Sequence, residues 1–428
     1  MVTMKIINHA DKFVKNVIGS QEVEVDLKYF ENPYLIKYEN SIFNALTREA
    51  VLVENIEKDI SYLIRNWFYV PKDFDVLSLC HLIRQKRLNS ENGPGSKTKH
   101  SYTIFTTTAC NANCSYCFEK GYDILTMSEK TAEDVAFYIL KSRNKNRSTN
   151  IEWFGGEPLC NKKVMTIICN ILKDNGVKYT SGITTNGSLL TECTDEELRD
   201  IWNVTHIQLT FDDVGEEYDK SKNLPNGTFD KLIETMERLE KLKIYIYGRV
   251  HYDPSKGKEP CVRAIDAISR FSNVHPYAKL LYDTAKKEYY VDLLELDSYI
   301  GKYRDRSYVF PTVSKVNHCM ADTPRIVAIT PEGKLSPCGH YPYGENIFGN
   351  IYTNKLNNAI LKTWCVREKV TKEKCKECPL YPSCRKIVMC PAEGKCSDGY
   401  QYYQIETIKR ALRKKVEEIN GRDSNTDN

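Results

Sequence analysis

The sequence predicts an α/β protein built on a partial (β/α)6 TIM-like barrel, with a small winged-helix-like α+β unit before it and a cysteine-rich extension after it. Three observations predict this. Between residues 102 and 282, short apolar runs of strand length alternate with stretches whose apolar residues recur at helical spacing, the pattern of a parallel sheet with crossover helices. Upstream the order differs: several short aromatic and aliphatic runs come first, and helical stretches follow. Downstream, cysteines crowd between Cys319 and Cys396. A chain of 428 residues is too long for one ordinary core, so the expected division is 1–95, 100–300 and 310–428.

In the first unit, residues 34–38, 42–46 and 50–53 read as strands, the first two joined by Glu39, Asn40 and Ser41. Ile56, Ile60, Leu63 and Ile64 recur at helical spacing, as do Leu77, Leu82 and Ile83. Residues 89–99 are polar and carry Gly93, Pro94 and Gly95, a linker composition. Barrel strands are then expected at 102–107, 151–154, 183–185, 206–211, 243–250 and near 278–282. Helices are expected between them at 129–141, 163–172, 195–202, 229–242 and 262–271. In such an arrangement functional residues gather at the C-terminal ends of the strands. The tail repeats Tyr402, Ile405, Ile408, Leu412, Val416 and Ile419, which predicts an amphipathic helix packed back on the barrel.

Composition narrows the function classes. Sixty-one basic residues against 57 acidic give a net charge of +4, too balanced to argue for nucleic acid or membrane binding. No apolar run reaches the roughly 20 residues that span a bilayer, and the N-terminus lacks a secretory pattern. A cytoplasmic protein is expected. In that compartment sixteen cysteines point to metal or cluster ligation before disulfides.

The chemistry concentrates at 106–119, TTTACNANCSYCFE, where Cys110, Cys114 and Cys117 have CxxxCxxC spacing directly after a strand. Three thiolates on one loop can hold three irons of a [4Fe-4S] cube and leave the fourth open; zinc ligation or packing is the plainer alternative. With Tyr116 inside it, the triplet resembles the signature of the radical SAM superfamily. There the open iron chelates S-adenosylmethionine, and the reduced cluster cleaves it to a 5'-deoxyadenosyl radical. Further motifs extend the resemblance. Gly155, Gly156, Glu157 and Pro158 are similar to the family's GGEP motif, which holds the amino group of the methionyl part, with glycines expected so that backbone can approach the ligand. Thr185 and Asn186, in TTNG, resemble its nucleoside or carboxylate contact. Thr210, two before Asp212, fits the fourth-strand pattern, although Asp213 stands where a glycine is usual. Lys222 lies where many relatives carry an arginine for the cofactor carboxylate, and it offers a point charge instead of a fork. Arg249 is expected to point into the barrel mouth, for the cofactor or for a structural ion pair.

From Cys319 the spacing resembles a SPASM domain, which binds two auxiliary [4Fe-4S] clusters. The resemblance includes a hairpin over ITPEGKLSPC and a turn at Gly349, Asn350 and Ile351. It implies one complete cluster on Cys375, Cys378, Cys384 and Cys396. The other would have Cys319, Cys338 and Cys390 and an open iron able to bind a substrate thiolate. Five residues between Cys384 and Cys390 depart from the usual three, and a pair of zinc ribbons is the rival reading.

The resemblance implies S-adenosylmethionine, three [4Fe-4S] clusters, a reducing donor of flavodoxin or ferredoxin type, and a precursor peptide as substrate. In peptide-modifying relatives the N-terminal place often holds a leader-binding domain; a scaffold that buttresses the barrel is the alternative. Sulfatase maturases place an aspartate directly after the second auxiliary cysteine, where this chain has Gly339 and His340. The expectation is therefore thioether formation on a ribosomally made peptide, with carbon-carbon crosslinking the close alternative, sulfatase-maturase-like protein oxidation a disfavoured one, and a non-catalytic metal-binding module the reading from another class. Asp212 and His340 are candidate acid or base groups.

Overall fold

Short aromatic and β-branched runs near the N-terminus fold into an antiparallel sheet in the computed structural model of the protein, which describes all residues except 1–3, 25, 92–98, 283–285, 304–319, 341, 354, 366–372, 385–395 and 424–428. Its elements are β1 (Met4–Asn8), α1 (Lys12–Ile18), β2 (Tyr29–Glu31), β3 (Leu35–Tyr38), β4 (Ser41–Asn44), β5 (Ala50–Val53), α2 (Ile56–Arg65), β6 (Tyr69–Pro71) and α3 (Val76–Glu91). The sheet runs β1-β5-β4-β3, and β2 pairs with β6 as a separate ribbon. Side chains close the helix starts: Asp11 accepts from Phe13 N at 2.9 Å, and Asn55 accepts from Lys58 N at 3.1 Å.

The barrel strands follow in chain order, each beside the last. They are β7 (Ser101–Thr107), β8 (Thr149–Gly155), β9 (Tyr179–Thr185), β10 (Val204–Phe211), β11 (Tyr245–Tyr252) and β12 (Val274–Leu280), all parallel. Between them lie α4 (Glu129–Ser142), α5 (Lys162–Asp174), α6 (Gly215–Lys222), α7 (Thr228–Lys241) and α8 (Glu259–Ser269); α9 (Lys287–Ile300) follows β12. The outer faces of the strands, such as Ile151 and Trp153 of β8 and Ile207 and Leu209 of β10, pack on the apolar stripes of the helices. On α5 that stripe is Val164, Met165, Ile168, Cys169 and Leu172.

Among the differences from the sequence expectation, which also include the sixth strand falling at Val274–Leu280 and the unforeseen α9, two have a clear physical cause. The helix expected over 195–202 is a single wide turn, Glu197–Ile201. Trp202 is fully buried, donates to Thr166 Oγ1 at 3.0 Å and bonds from its backbone N to Glu197 O, so the chain widens to seat the indole and then stops at Asn203, with φ of 49°. The second is α6, which sequence periodicity did not suggest because only Tyr218, Asp219 and Lys222 of its eight residues are buried. Asp219 explains its place. Its carboxylate accepts from Gly227 N, Thr228 N and Phe229 N at 2.8 to 3.2 Å, which caps the positive end of α7.

The cysteine-rich part contains β13 (Ile326–Ile329), β14 (Lys334–Ser336), β15 (Gly349–Asn350), α10 (Asn358–Cys365), α11 (Glu373–Lys376) and α12 (Asp398–Asp423). The expected hairpin forms as β13 and β14, and it joins the barrel sheet because β13 pairs in parallel with β7. One nine-stranded sheet results, β12-β11-β10-β9-β8-β7-β13-β14-β15. Helix α12 packs in two directions. Arg410 donates to Leu294 O of α9 at 2.7 Å, whereas Ile408, Ala411 and Leu412 share a core with Val14, Tyr34 and Phe43 of the N-terminal unit. Among the described residues no helix is long and apolar enough to cross a membrane.

Candidate functional site

At the C-terminal ends of β7 to β11, side chains from the strand ends, the loops that follow them and α6 are tied into a single polar assembly. The loop after β7 carries Cys110, Cys114 and Cys117. The first and third are exposed, the second is half-buried, and none is in a disulfide. Ala112 N lies 3.4 Å from Cys110 Sγ and Asn186 Nδ2 lies 3.7 Å from it, so N–H groups are aimed at a sulfur as a thiolate ligand would need. Among the described residues no three His, Cys, Asp or Glu side chains converge on one point as they would around a single ion. A cube has no such shared point, since each of its thiolates takes a different iron. Three unbridged thiols on one open loop, one of them met by N–H donors, fit a cluster of this kind.

The GGEP segment is laid directly against the cysteine loop. Gly155 has φ of +128°, and a Cβ there would stand 2.0 Å from Thr107 O; at Gly156 a Cβ would meet Ala109 O at 2.4 Å and Thr108 O at 2.5 Å. The glycines are therefore required by the cysteine loop itself, against which this segment is laid. Gly156 N donates to Thr107 O, and Glu157 N donates to Ala109 O. Pro158 opens the following turn and its carbonyl accepts from Thr106 Oγ1 at 2.9 Å.

Glu157 is completely buried. Its carboxylate lies 2.8 Å and 2.9 Å from Thr185 Oγ1 and accepts from Asn186 N at 2.8 Å and Leu159 N at 3.1 Å. Burial pushes it up to about 7, against the pull of these donors. Thr185 and Asn186 are thus committed to the strand ends. Asn186 also donates to Asn111 Oδ1 at 2.9 Å and so holds the cysteine loop from the other side.

A second knot lies on β10, α6 and β11. Asp212 accepts from Tyr116 Oη at 2.6 Å and from Lys222 Nζ at 2.6 Å, and its other oxygen lies 2.9 Å from His251 Nδ1. Lys222 Nζ is also 3.1 Å from Thr210 Oγ1, and its backbone oxygen accepts from Asn113 N of the cysteine loop. Lys222 is 1% exposed and Asp212 8%. Burial alone would raise the Asp212 carboxyl, but the Lys222 charge and the His251 and Lys222 hydrogen bonds outweigh it and hold the group well below the usual carboxylate range. Burial also lowers His251, so a neutral imidazole donating through Nδ1 faces an ionised carboxylate. Asp212 is accordingly no proton donor at neutral pH, and Lys222, expected to reach a ligand, is engaged inside the protein.

Tyr116, Asp212, Ser221, His251 and Tyr282 line a cavity of about 100 Å³ at this point. His251 was not singled out from the sequence. The signal was available, because it lies two residues beyond Arg249 on one strand and so on the same face.

His340 follows β14, with its ring 4.9 Å from Phe118 and 6.5 Å from Phe154 at the barrel mouth. Burial, then the Arg249 and Lys279 charges, push its imidazole below the usual histidine range. Arg249 is half-buried on β11, and its Nε is buried without a hydrogen-bond partner. Of the remaining cysteines, Cys338 is buried beside Ala321 and Trp364. Cys375, Cys378 and Cys384 lie against the core shared with the N-terminal unit, and Gln401 Nε2 reaches both Cys378 Sγ at 3.9 Å and Cys396 Sγ at 3.6 Å. The expected ligands Cys319 and Cys390 lie outside the described residues.

Residues 104–258, which run from β7 to just before α8, match the sequence profile described as the Radical SAM superfamily. This stretch is a radical SAM domain. The chain is 23% identical over 290 residues to a GTP 3',8-cyclase of Clostridium perfringens (strain 13 / Type A), covering 60% of this chain and 84% of that one. It is 27% identical over 239 residues to the radical SAM cyclopropyl synthase TigE of Paramaledivibacter caminithermalis, and spans 49% of the length of each. In fold this radical SAM protein resembles anSMEcpe solved with AdoMet and the Cp18Cys peptide, at a TM-score of 0.54 and 17% identity over 75% of this chain and 99% of that one. It also resembles Streptococcus suis SuiB bound to precursor peptide SuiA, at 0.52 and 13%, over 84% and 95%.

Proposed function

We propose that this radical SAM enzyme is a peptide maturase that removes a hydrogen atom from one residue of a ribosomally made precursor and joins a cysteine sulfur to that carbon, the thiol proton being released and the remaining electron passing to an auxiliary cluster. The observation that carries the radical part is the open CxxxCxxC loop laid directly on the GGEP and TTNG strand ends. When bound, a [4Fe-4S] cluster and S-adenosylmethionine supply abstraction at an unactivated carbon, which no side-chain base can perform. The protein's own share is to fix geometry: Cys110, Cys114 and Cys117 hold the cluster, while Glu157, Thr185 and Asn186 keep the loop in register. The Asp212–Lys222 pair holds Tyr116 against the cavity, where the nucleoside is proposed to lie.

The peptide substrate is supported by the likeness to folds solved with peptides bound, anSMEcpe and SuiB. The thioether is supported by the auxiliary cysteines. Cys375, Cys378, Cys384 and Cys396 would complete one cluster, and Cys319, Cys338 and Cys390 would leave an iron for a substrate thiolate. A flavodoxin or ferredoxin type donor is proposed as the electron source, and residues 1–95 as a scaffold or peptide-recognition unit. The core that Tyr34 and Leu412 share favours the scaffold role. Carbon-carbon bond formation is the second reading, favoured by the similarity to a cyclopropyl synthase.

Co-expression with short cysteine-containing open reading frames from the same locus, followed by mass spectrometry, tests the proposal. A thioether removes two hydrogens from the peptide and one alkylatable thiol, whereas a carbon-carbon link removes the hydrogens and leaves the thiol. Conversion of added GTP in place of peptide would overturn the peptide reading.

A further inference from the structure

The lumen of the barrel has two unlike sides, and together they define what is drawn into it. On β7 and β8, Phe105 and Phe154 meet edge to face with centroids 5.2 Å apart, and His340 and Phe118 close over them. Opposite, Thr210, Arg249 and Tyr277 lie abreast in register on β10, β11 and β12. Arg249 is one layer below His251 and three strands from Gly155, so it stands apart from the GGEP segment.

Its guanidinium makes no ion pair among the described residues, and its Nε is out of water with no acceptor. Leaving such a donor unmet costs free energy that a ligand oxygen would recover. The carboxylates of the neighbouring strands are taken: Asp212 by Lys222 and His251, and Glu152 by His206 at 3.3 Å and Asn150 at 2.9 Å.

We infer that Arg249 is a substrate subsite, which receives the side-chain carboxylate of an aspartate or glutamate in the peptide segment presented for reaction, with the phenylalanine wall covering its carbon stem. A planar carboxylate matches the guanidinium fork. This deepens the peptide reading and rests on it.

The test is equilibrium dialysis on the cluster-loaded enzyme with S-adenosylmethionine present and no reductant, so that binding is read without turnover. The probes are N-acetyl-Ala-Glu-Ala-amide, its Gln counterpart, N-acetyl-Ala-Ala-Ala with a free C-terminus, and GTP. The Glu peptide is expected to bind about tenfold more tightly than the Gln peptide, with the difference abolished in Arg249→Met and partly kept in Arg249→Lys. Equal binding of Glu and Gln peptides by the wild type overturns the inference, as does a preference that survives in Arg249→Met. Tighter binding of the free-terminus peptide overturns the side-chain source, and tighter binding of GTP overturns a peptide ligand. Should Arg249→Met not fold, the wild-type comparison and Arg249→Lys still decide. A failure to cleave S-adenosylmethionine would sink the catalytic reading and leave this result standing.

Discussion

Gly156 and Glu157 are adjacent and do opposite things, one by having no side chain and the other by burying a charged one. At Gly156 any Cβ falls within 2.7 Å of three backbone atoms of Thr108 and Ala109. Gly156→Ala is expected to cost on the order of 2 kcal/mol, from forced backbone shifts, and to displace the cysteine loop. Urea denaturation together with the iron content of the reconstituted protein would check both. Glu157 carries a pH signature. Its folded value of about 7 lies above the ordinary 4.5, so between those limits the folded chain keeps a proton that the unfolded chain has released. Stability from this group is therefore full below about pH 4.5 and is lost as pH rises through about 7. Comparing pH 5 with pH 8, wild type should lose on the order of 2 kcal/mol more than Glu157→Gln; an equal loss in the two proteins would refute the assignment. The motif was legible in the sequence, but its physical reason was not. Pattern marked the glycines for a ligand, whereas only the fold shows Thr107 to Ala109 pressed against them.

The knot on β10, α6 and β11 shows what an element contributes beyond its motif. Thr210, Asp212 and Lys222 were visible as separate residues, but α6 was not, because a helix with three buried residues in eight has too narrow an apolar stripe to read. The strands were legible for the opposite reason: β7 is buried at every position and β8 alternates from Thr149 to Phe154. Removing the cation by Lys222→Met leaves the Asp212 carboxylate buried with less compensation and is expected to cost about 3 to 5 kcal/mol. The double change Lys222→Met with Asp212→Asn should recover part of that loss. Urea midpoints of the wild type, both single variants and the double variant make the comparison.

Across the whole molecule, the N-terminal unit, the cysteine-rich part and the barrel are fastened by α12. Tyr34 stacks on Tyr381 with centroids 6.0 Å apart, and Tyr381 in turn bonds His81 at 2.7 Å. Such long-range pairing cannot be read from periodicity, which predicted the helix and its stripe of Ile405, Ile408 and Leu412 but assigned that stripe to the barrel, whereas it packs in the core shared with the N-terminal unit. Leu412 is fully buried in the shared core, so Leu412→Ala should cost about 2 to 5 kcal/mol. The N-terminal unit and α12 should then melt in one coincident transition when followed by far-ultraviolet circular dichroism and tyrosine fluorescence. The extension of the barrel sheet by β13 to β15 likewise links the radical site to the neighbourhood of Cys338 through continuous hydrogen bonding.

The most direct test of the account is made on protein reconstituted with iron and sulfide without oxygen, then reduced in the presence of S-adenosylmethionine. The wild type should carry about twelve irons and form 5'-deoxyadenosine. The Cys110, Cys114 and Cys117 triple alanine variant should keep about eight irons and form none. A wild type that loads iron yet leaves S-adenosylmethionine intact, or a triple variant that still cleaves it, would contradict the assignment of this loop.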